Sequence, residues 1–215
     1  MSASTDGTSG AADRSAEDDL LTIVHCGDPV LRQPADLVDP DEIGTPRVQR
    51  LITLMRAAMI AAPGVGLAAP QVGVPLRLAV IEDTPERWGE LPAADLAARE
   101  RVPLPFTVLI NPVVSAAGPE RATFYEGCLS VPGLTGVVTR HRRVRVQSLD
   151  EHGEPVDRIF TGWPARIVQH ETDHLDGVLY LDRVETRSLC TTVNYARLWA
   201  GRQAEAAAAL GFSAP

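Results

Sequence analysis

The chain has 215 residues, 45% of them apolar and 22% charged, with a formal net charge of −8. That length suffices for one domain with a sizeable core. The acidic balance argues against a specific nucleic-acid binder, because phosphate backbones would be repelled. The three cysteines, Cys26, Cys128 and Cys190, are too few and too odd for a disulfide framework and suit a reducing compartment. Residues 1–18 are polar and acidic without an apolar signal region, and no apolar run reaches the ~20 residues of a membrane span. The expected location is therefore the cytoplasm, with no membrane partner.

In chain order, residues 1–18 read as a disordered tail, too poor in apolar side chains to pack. Leu20–Val24 reads as a short strand or extended segment, and Asp28-Pro29 as a turn. From Thr45 to Ala62, Val48, Leu51, Ile52, Met55 and Met59 recur at helical spacing, and Pro63-Gly64 stops the helix. Residues 64–74 are rich in glycine and small side chains, so their backbone can approach another group closely. Leu76–Ile81 reads as a strand, 83–103 as an excursion loop or short helix, and Val108–Ile110 as a strand ending before Asn111-Pro112. Residues 113–163 are expected to be β-rich, punctuated at Gly118-Pro119, Pro132-Gly133 and His152-Gly153. A helix from Pro164 to about Leu175 is closed by Gly177. Val178–Leu181 follows as a strand, and Leu189–Leu210 as an Ala-rich helical tail. The fold class is α+β: mixed or antiparallel sheets packed around a central metal-binding helix. The division is a tail (1–18), a catalytic domain (19–185) and a C-terminal helical extension (186–215).

The strongest chemical signal lies in Gln169-His170-Glu171-Thr172-Asp173-His174. His170 and His174 stand at i and i+4, so on a helix both imidazoles reach one metal ion, and Glu171 is placed to handle the proton of a bound water. Two ligands leave a catalytic site incomplete, since three from protein plus an open position is usual. Glu185 and Glu205 are the downstream carboxylates available as a third. Upstream, Cys128 sits in Glu126-Gly127-Cys128-Leu129-Ser130; a lone cysteine is often an inert buried side chain, and Cys128 gains weight from the motifs around it. Arg140 would brace Glu126, and the remainder of the run to Arg145 reads as a solvated strand face.

Gly64-Val65-Gly66-Leu67-Ala68-Ala69-Pro70-Gln71, Glu126–Ser130 and Gln169–His174 occur in that order. Together they resemble the three signature motifs of the peptide deformylases. Gly27–Arg32, Asn111-Pro112, Arg140, Leu175-Asp176-Gly177 and Asp182-Arg183 extend the likeness over roughly residues 20–185. The resemblance implies a metal-dependent hydrolase that removes the formyl group from the N-terminal formylmethionine of new proteins. It implies a divalent ion held by Cys128, His170 and His174. Such an ion lowers the pKa of its water toward ~7, so that hydroxide attacks the formyl carbon. Glu171 would be general base and then general acid. The Gln71 amide and the Leu129 N–H would stabilise the oxyanion. Gly64, Val65, Gly66, Leu129 and Glu126 would bind substrate, with Val65, Leu129 and the 166–170 turn lining a methionine slot. Asp173 and Arg140 would give structural support. Iron(II) is the cellular metal that the resemblance implies, with Zn(II), Ni(II) or Co(II) able to replace it. The implied partners are formylmethionyl nascent chains at or near the ribosome. Two other readings are a zinc endopeptidase, which would leave Cys128 unneeded, and a catalytically dead binding module, which would be expected to lack Glu171, Gln71 or a ligand.

Overall fold

Helix α1 (Pro46–Ala61) buries the stripe Val48, Ile52, Met55, Ala58 and Met59. Spacings of three and four put these residues on one face, and Pro46 occupies the first turn, where its missing N–H costs nothing. The structure is a computed structural model that describes residues 21–89 and 91–213. The tail expected over residues 1–18 lies outside the described residues.

The main sheet is antiparallel, with strand order β1-β2-β3-β6-β7. Its strands are β1 (Gly66–Ala68), β2 (Leu78–Asp83), β3 (Leu104–Ala116), β6 (Arg143–Leu149) and β7 (Pro155–Thr161). Strand β2 is buried at every position, because both its faces are covered. Leu78 and Val80 join Val108 and Ile110 under α1. Ile81 joins Leu109, Val144, Val146 and Phe160 against Ile167 and Val168 of helix α3 (Gly162–Leu175). Alternation along the strands sends successive side chains to opposite faces, so the sheet is the middle layer between α1 and α3. A second antiparallel sheet runs β4 (Arg121–Cys128), β5 (Val131–His141) and β8 (Cys190–Thr191). Helix α3 contacts both sheets.

Several local expectations are corrected. Of the two readings of Leu20–Val24, the strand is not formed over the described residues 21–24, although Val24 N–H donates to the Gln71 carbonyl at 2.8 Å. Strand β3 continues through Asn111-Pro112 with a register shift there. Asn111 adopts φ 52°, a conformation asparagine tolerates, and its side chain bonds both Val38 N–H and Val38 C=O. Pro132-Gly133 lies inside β5. The turn is Leu129-Ser130, closed by the pairing of Cys128 with Val131.

Val178–Leu181 is no strand. Leu179 and Tyr180 are buried beside Leu31, Val131 and Val138, and Tyr180–Asp182 coils into a 3-10 turn in which Asp182 accepts the Leu179 N–H. Burial of one apolar cluster satisfied the hydrophobic pattern without a strand partner. The C-terminal segment is broken into β8, a short α4 (Thr192–Asn194), a π-turn (Tyr195–Trp199) and α5 (Gln203–Leu210). The 83–103 stretch holds a 3-10 turn at Pro85–Arg87 and a short α2 (Ala93–Ala98).

Candidate metal centre

Helix α3 ends where Gly177 turns the chain at φ 73°. A Cβ there would lie 2.8 Å from the Arg32 carbonyl carbon, so both conformation and space call for glycine. This fixed end holds His170, Glu171 and His174 on two successive turns of a helix packed into the core.

The two-residue turn after β4 presents Cys128 to that helix. Cys128 Sγ lies 3.2 Å from His174 Nε2. The candidate ligand atoms of Cys128, His170 and His174 all lie within 4.8 Å of one another. His170 Nδ1 lies 3.0 Å from Glu126 Oε2, which leaves Nε2 as its free nitrogen. One sulfur and two imidazoles suit a borderline-soft divalent ion and fit a site with three protein ligands. The donor set therefore fits a metal.

Behind the trio lies a buried charge network. Arg140 Nε and Nη2 donate to the two Glu126 oxygens at 2.6 and 2.9 Å, and Arg140 Nη1 donates to Asp173 at 2.7 Å. Arg183 makes a two-pronged contact to Asp173. Arg166 donates to Glu126 at 2.5 Å and to the Val138 and Ala122 carbonyls. Burial disfavours the Glu126 carboxylate, but Arg140 and His170 outweigh it and hold its pKa well below the usual range. Glu126 thus stays ionised and keeps its grip on His170 Nδ1, the arrangement that fixes ring orientation at metal sites. Burial and the neighbouring His170 push the His174 pKa well down. Burial acts the same way on His170, but hydrogen bonds and charge from Cys128 and Glu126 outweigh it and push that pKa up.

Gln71 stands on the opposite wall. Its Oε1 accepts the Ala68 N–H at 2.8 Å, while its Nε2 lies 3.2 Å from Ser130 Oγ and 3.5 Å from Cys128 Sγ. The amide is therefore oriented with its donor end toward the sulfur. Gly66 brings backbone against the helix: a Cβ there would lie 2.2 Å from Glu171 Oε1. Burial pushes the Glu171 carboxyl up to about 7. Its buried Oε2 has no hydrogen-bond partner among the described residues. An unmet buried acceptor costs ~1–3 kcal/mol, so this oxygen is where a water or substrate proton gains most.

Gly64, Val65, Gly66, Gln71, Glu126, Cys128, Leu129, His170 and Glu171 line one cleft of about 440 Å³. His174 is buried behind it, and Asp173 and Arg140 lie on the far side of the network. Sequence reading placed Ser130 inside a motif and Arg166 in the 166–170 turn without giving either its role here, and it missed the cleft residues Arg99, Trp163 and Tyr195. Arg166 carried a signal, since it stands at i−4 from His170 and so shares its helix face. Arg99, Trp163 and Tyr195 carried none, because only the folded chain brings them near.

The sequence model of the polypeptide deformylase family matches residues 20–189. A relative named peptide deformylase 3, from Streptomyces avermitilis, is 57% identical over 91% of this chain and 85% of its own length. One named peptide deformylase 1, from Streptomyces coelicolor, is 55% identical over 91% of this chain and 88% of its own. Among solved structures, the Met-Ala-Ser-bound class I type b peptide deformylase from Acinetobacter baumannii superposes with a TM-score of 0.68. It is 34% identical over 77% of this chain and 98% of its own. An actinonin-bound deformylase from Synechococcus elongatus gives a TM-score of 0.65 at 36% identity, covering 90% of this chain and 89% of its own.

Proposed function

The chain belongs to the peptide deformylase family and removes the N-terminal formyl group from formylated nascent peptides; from that premise we propose how its own residues carry out the hydrolysis. Cys128, His170 and His174 would hold the divalent ion on which the family depends. When bound, that ion supplies Lewis acidity and a water acidified into the neutral range. The convergence of one sulfur and two imidazoles within 4.8 Å is the observation that carries the reading.

Glu171 is the general base and acid. It takes a proton from water on Oε2, the oxygen without a partner among the described residues, and returns it to the leaving amine. A carboxyl titrating near 7 can do both at neutral pH. Gln71 Nε2 and the Leu129 N–H stabilise the oxygen that gains charge, and the bond from Gln71 Oε1 to Ala68 fixes the amide beforehand. Glu126, braced by Arg140 and Arg166, positions His170; Asp173 anchors Arg140. Gly64, Val65, Gly66 and Leu129 line the approach of the substrate, with Val65, Leu129 and Ile167 offering apolar wall for methionine.

Iron(II) is the metal we favour, with zinc, nickel and cobalt as replacements, since the donor set accepts each. We further propose that residues 19–185 form the catalytic domain and 186–215 an extension, and that the protein acts in the cytoplasm near the ribosome. Among the described residues no helix is long and apolar enough to cross a membrane.

The test is formate release from formyl-Met-Ala-Ser by protein loaded with iron or nickel. Turnover that disappears with Cys128→Ala together with bound metal supports the assignment. Full metal retention in Cys128→Ala would return the zinc endopeptidase reading, and no formate from metal-loaded protein would return the binding module.

A further inference from the structure

The cleft does not end at the ligand trio. Its lining continues to Trp163 at the start of α3, Arg99 just beyond α2, Tyr125 on β4, and Thr192 and Tyr195 of the C-terminal segment. These residues lie outside the three motifs. The Arg99 guanidinium sits 4.9 Å from the centre of the Trp163 ring and 5.8 Å from that of Phe124. One of its nitrogens donates to the Tyr195 hydroxyl at 3.3 Å. A guanidinium lying over an aromatic ring is attracted by it and keeps N–H groups free to donate.

Arg99 forms no ion pair among the described residues. That separates it from Arg166, the other arginine on the lining, which is committed to Glu126 and two carbonyls. Two carboxylates line the cleft, Glu126 and Glu171. Glu126 already faces Arg140, Arg166 and His170, so it is not available to neutralise Arg99. Arg99 thus brings to the cleft of a chain of net charge −8 a guanidinium with no carboxylate partner among the described residues. The Tyr195 hydroxyl stands beside it, and Thr192 offers a further hydroxyl on the lining of the same cleft.

We propose that Arg99, with the hydroxyls of Thr192 and Tyr195, forms a subsite for a carboxylate on the residues that follow formylmethionine, giving a preference for acidic nascent-chain starts. This rests on the deformylase reading of the trio. A guanidinium already held over the Trp163 ring and bonded to Tyr195 loses less freedom on binding than a free one, and it can grip a carboxylate with two parallel N–H donors. The cleft of about 440 Å³ is larger than one unbranched side chain fills, so a second side chain has room.

The experiment compares metal-loaded protein on formyl-Met-Asp-Ala-Ser and formyl-Met-Ala-Asp-Ser with the same peptides carrying Asn for Asp. The expected kcat/KM ratio of Asp over Asn is roughly three- to tenfold at one of the two positions. It should lie mainly in KM and shrink as salt rises. Arg99→Met should bring the ratio to about one, and Arg99→Lys should keep part of it. A ratio near one at both positions in the unaltered protein overturns the subsite, as does an Asp preference that survives Arg99→Met. If the Met variant fails to fold, the salt dependence in the unaltered protein and the Lys variant decide the matter. Binding of deformylated Met-Asp-Ala-Ser and Met-Asn-Ala-Ser, and of Met-Ala-Asp-Ser and Met-Ala-Asn-Ser, followed by tryptophan fluorescence, makes the same comparison without turnover. Preferential binding of an acidic peptide without formate release would defeat the deformylase reading and leave the subsite standing. Formate release without any acidic preference would do the reverse.

Discussion

Glu171 combines a carboxyl that burial pushes up to about 7 with a buried oxygen that has no partner among the described residues. Glu171→Gln keeps the side chain's size and removes its basicity. Turnover should fall by about 10²–10⁴-fold while metal content, measured by elemental analysis, stays at one ion per chain; loss of the ion would show that the residue holds the site together instead. Gly66 tests the same carboxylate from the other side. In Gly66→Ala the new methyl would meet Glu171 Oε1 at 2.2 Å, Cδ at 2.6 Å and Cγ at 2.7 Å, so the Glu171 side chain would have to swing its carboxylate out of its present position. The expected result is a fall in kcat of tenfold or more at near-normal metal content, and a variant with unchanged kcat would refute the close approach.

At the scale of elements, the site is the meeting of α3 with the β4–β5 turn and the loop carrying Gln71. Helix α3 supplies His170, Glu171 and His174; the turn supplies Cys128 and Leu129. The two are tied together by Arg140 on β5, which joins Glu126 of β4 to Asp173 of α3. Arg140→Met would leave two buried carboxylates sharing Arg166 and Arg183. Breaking such a buried pair costs about 3–5 kcal/mol. Urea unfolding should register most of that loss, and metal affinity, measured by chelator competition, should weaken about 10- to 100-fold because His170 loses its brace. A variant with the stability of the parent would mean that the network contributes specificity and little else.

For the whole molecule, an ion pair between Arg32 and Asp182 links the segment before α1 to the turn after α3. Partial burial raises the Asp182 pKa, but Arg32 and the Leu179 N–H outweigh it, so the carboxyl sits below its usual 3.8. The folded state then binds this proton more weakly than the unfolded chain does. The stabilisation is present above the unfolded value and is lost as pH falls through the folded one. Asp182→Asn should therefore narrow its stability gap to the parent as pH drops below about 4, read from thermal melts across pH 3–7. A gap that stays constant over that range would remove the ion pair from the account.

The sequence by itself determined the family and the candidate donor residues. The i and i+4 histidines with an intervening glutamate, the lone motif cysteine, and the Gly-rich loop ending in Gln71 were all legible, because helical spacing and local backbone freedom are short-range properties. The stripe of α1 was legible for the same reason. Tertiary structure decided the rest. Which turn carries Cys128 depended on strand pairing at Val131, not on the Pro132-Gly133 signal. Val178–Leu181 forgoes a strand because a buried cluster accepts its side chains. Arg99 and Tyr195, 96 positions apart in sequence, share a cleft wall that no local pattern encodes. Short-range sterics and spacing specify residues and elements, whereas long-range packing selects which of them meet, and only the folded chain contains that information.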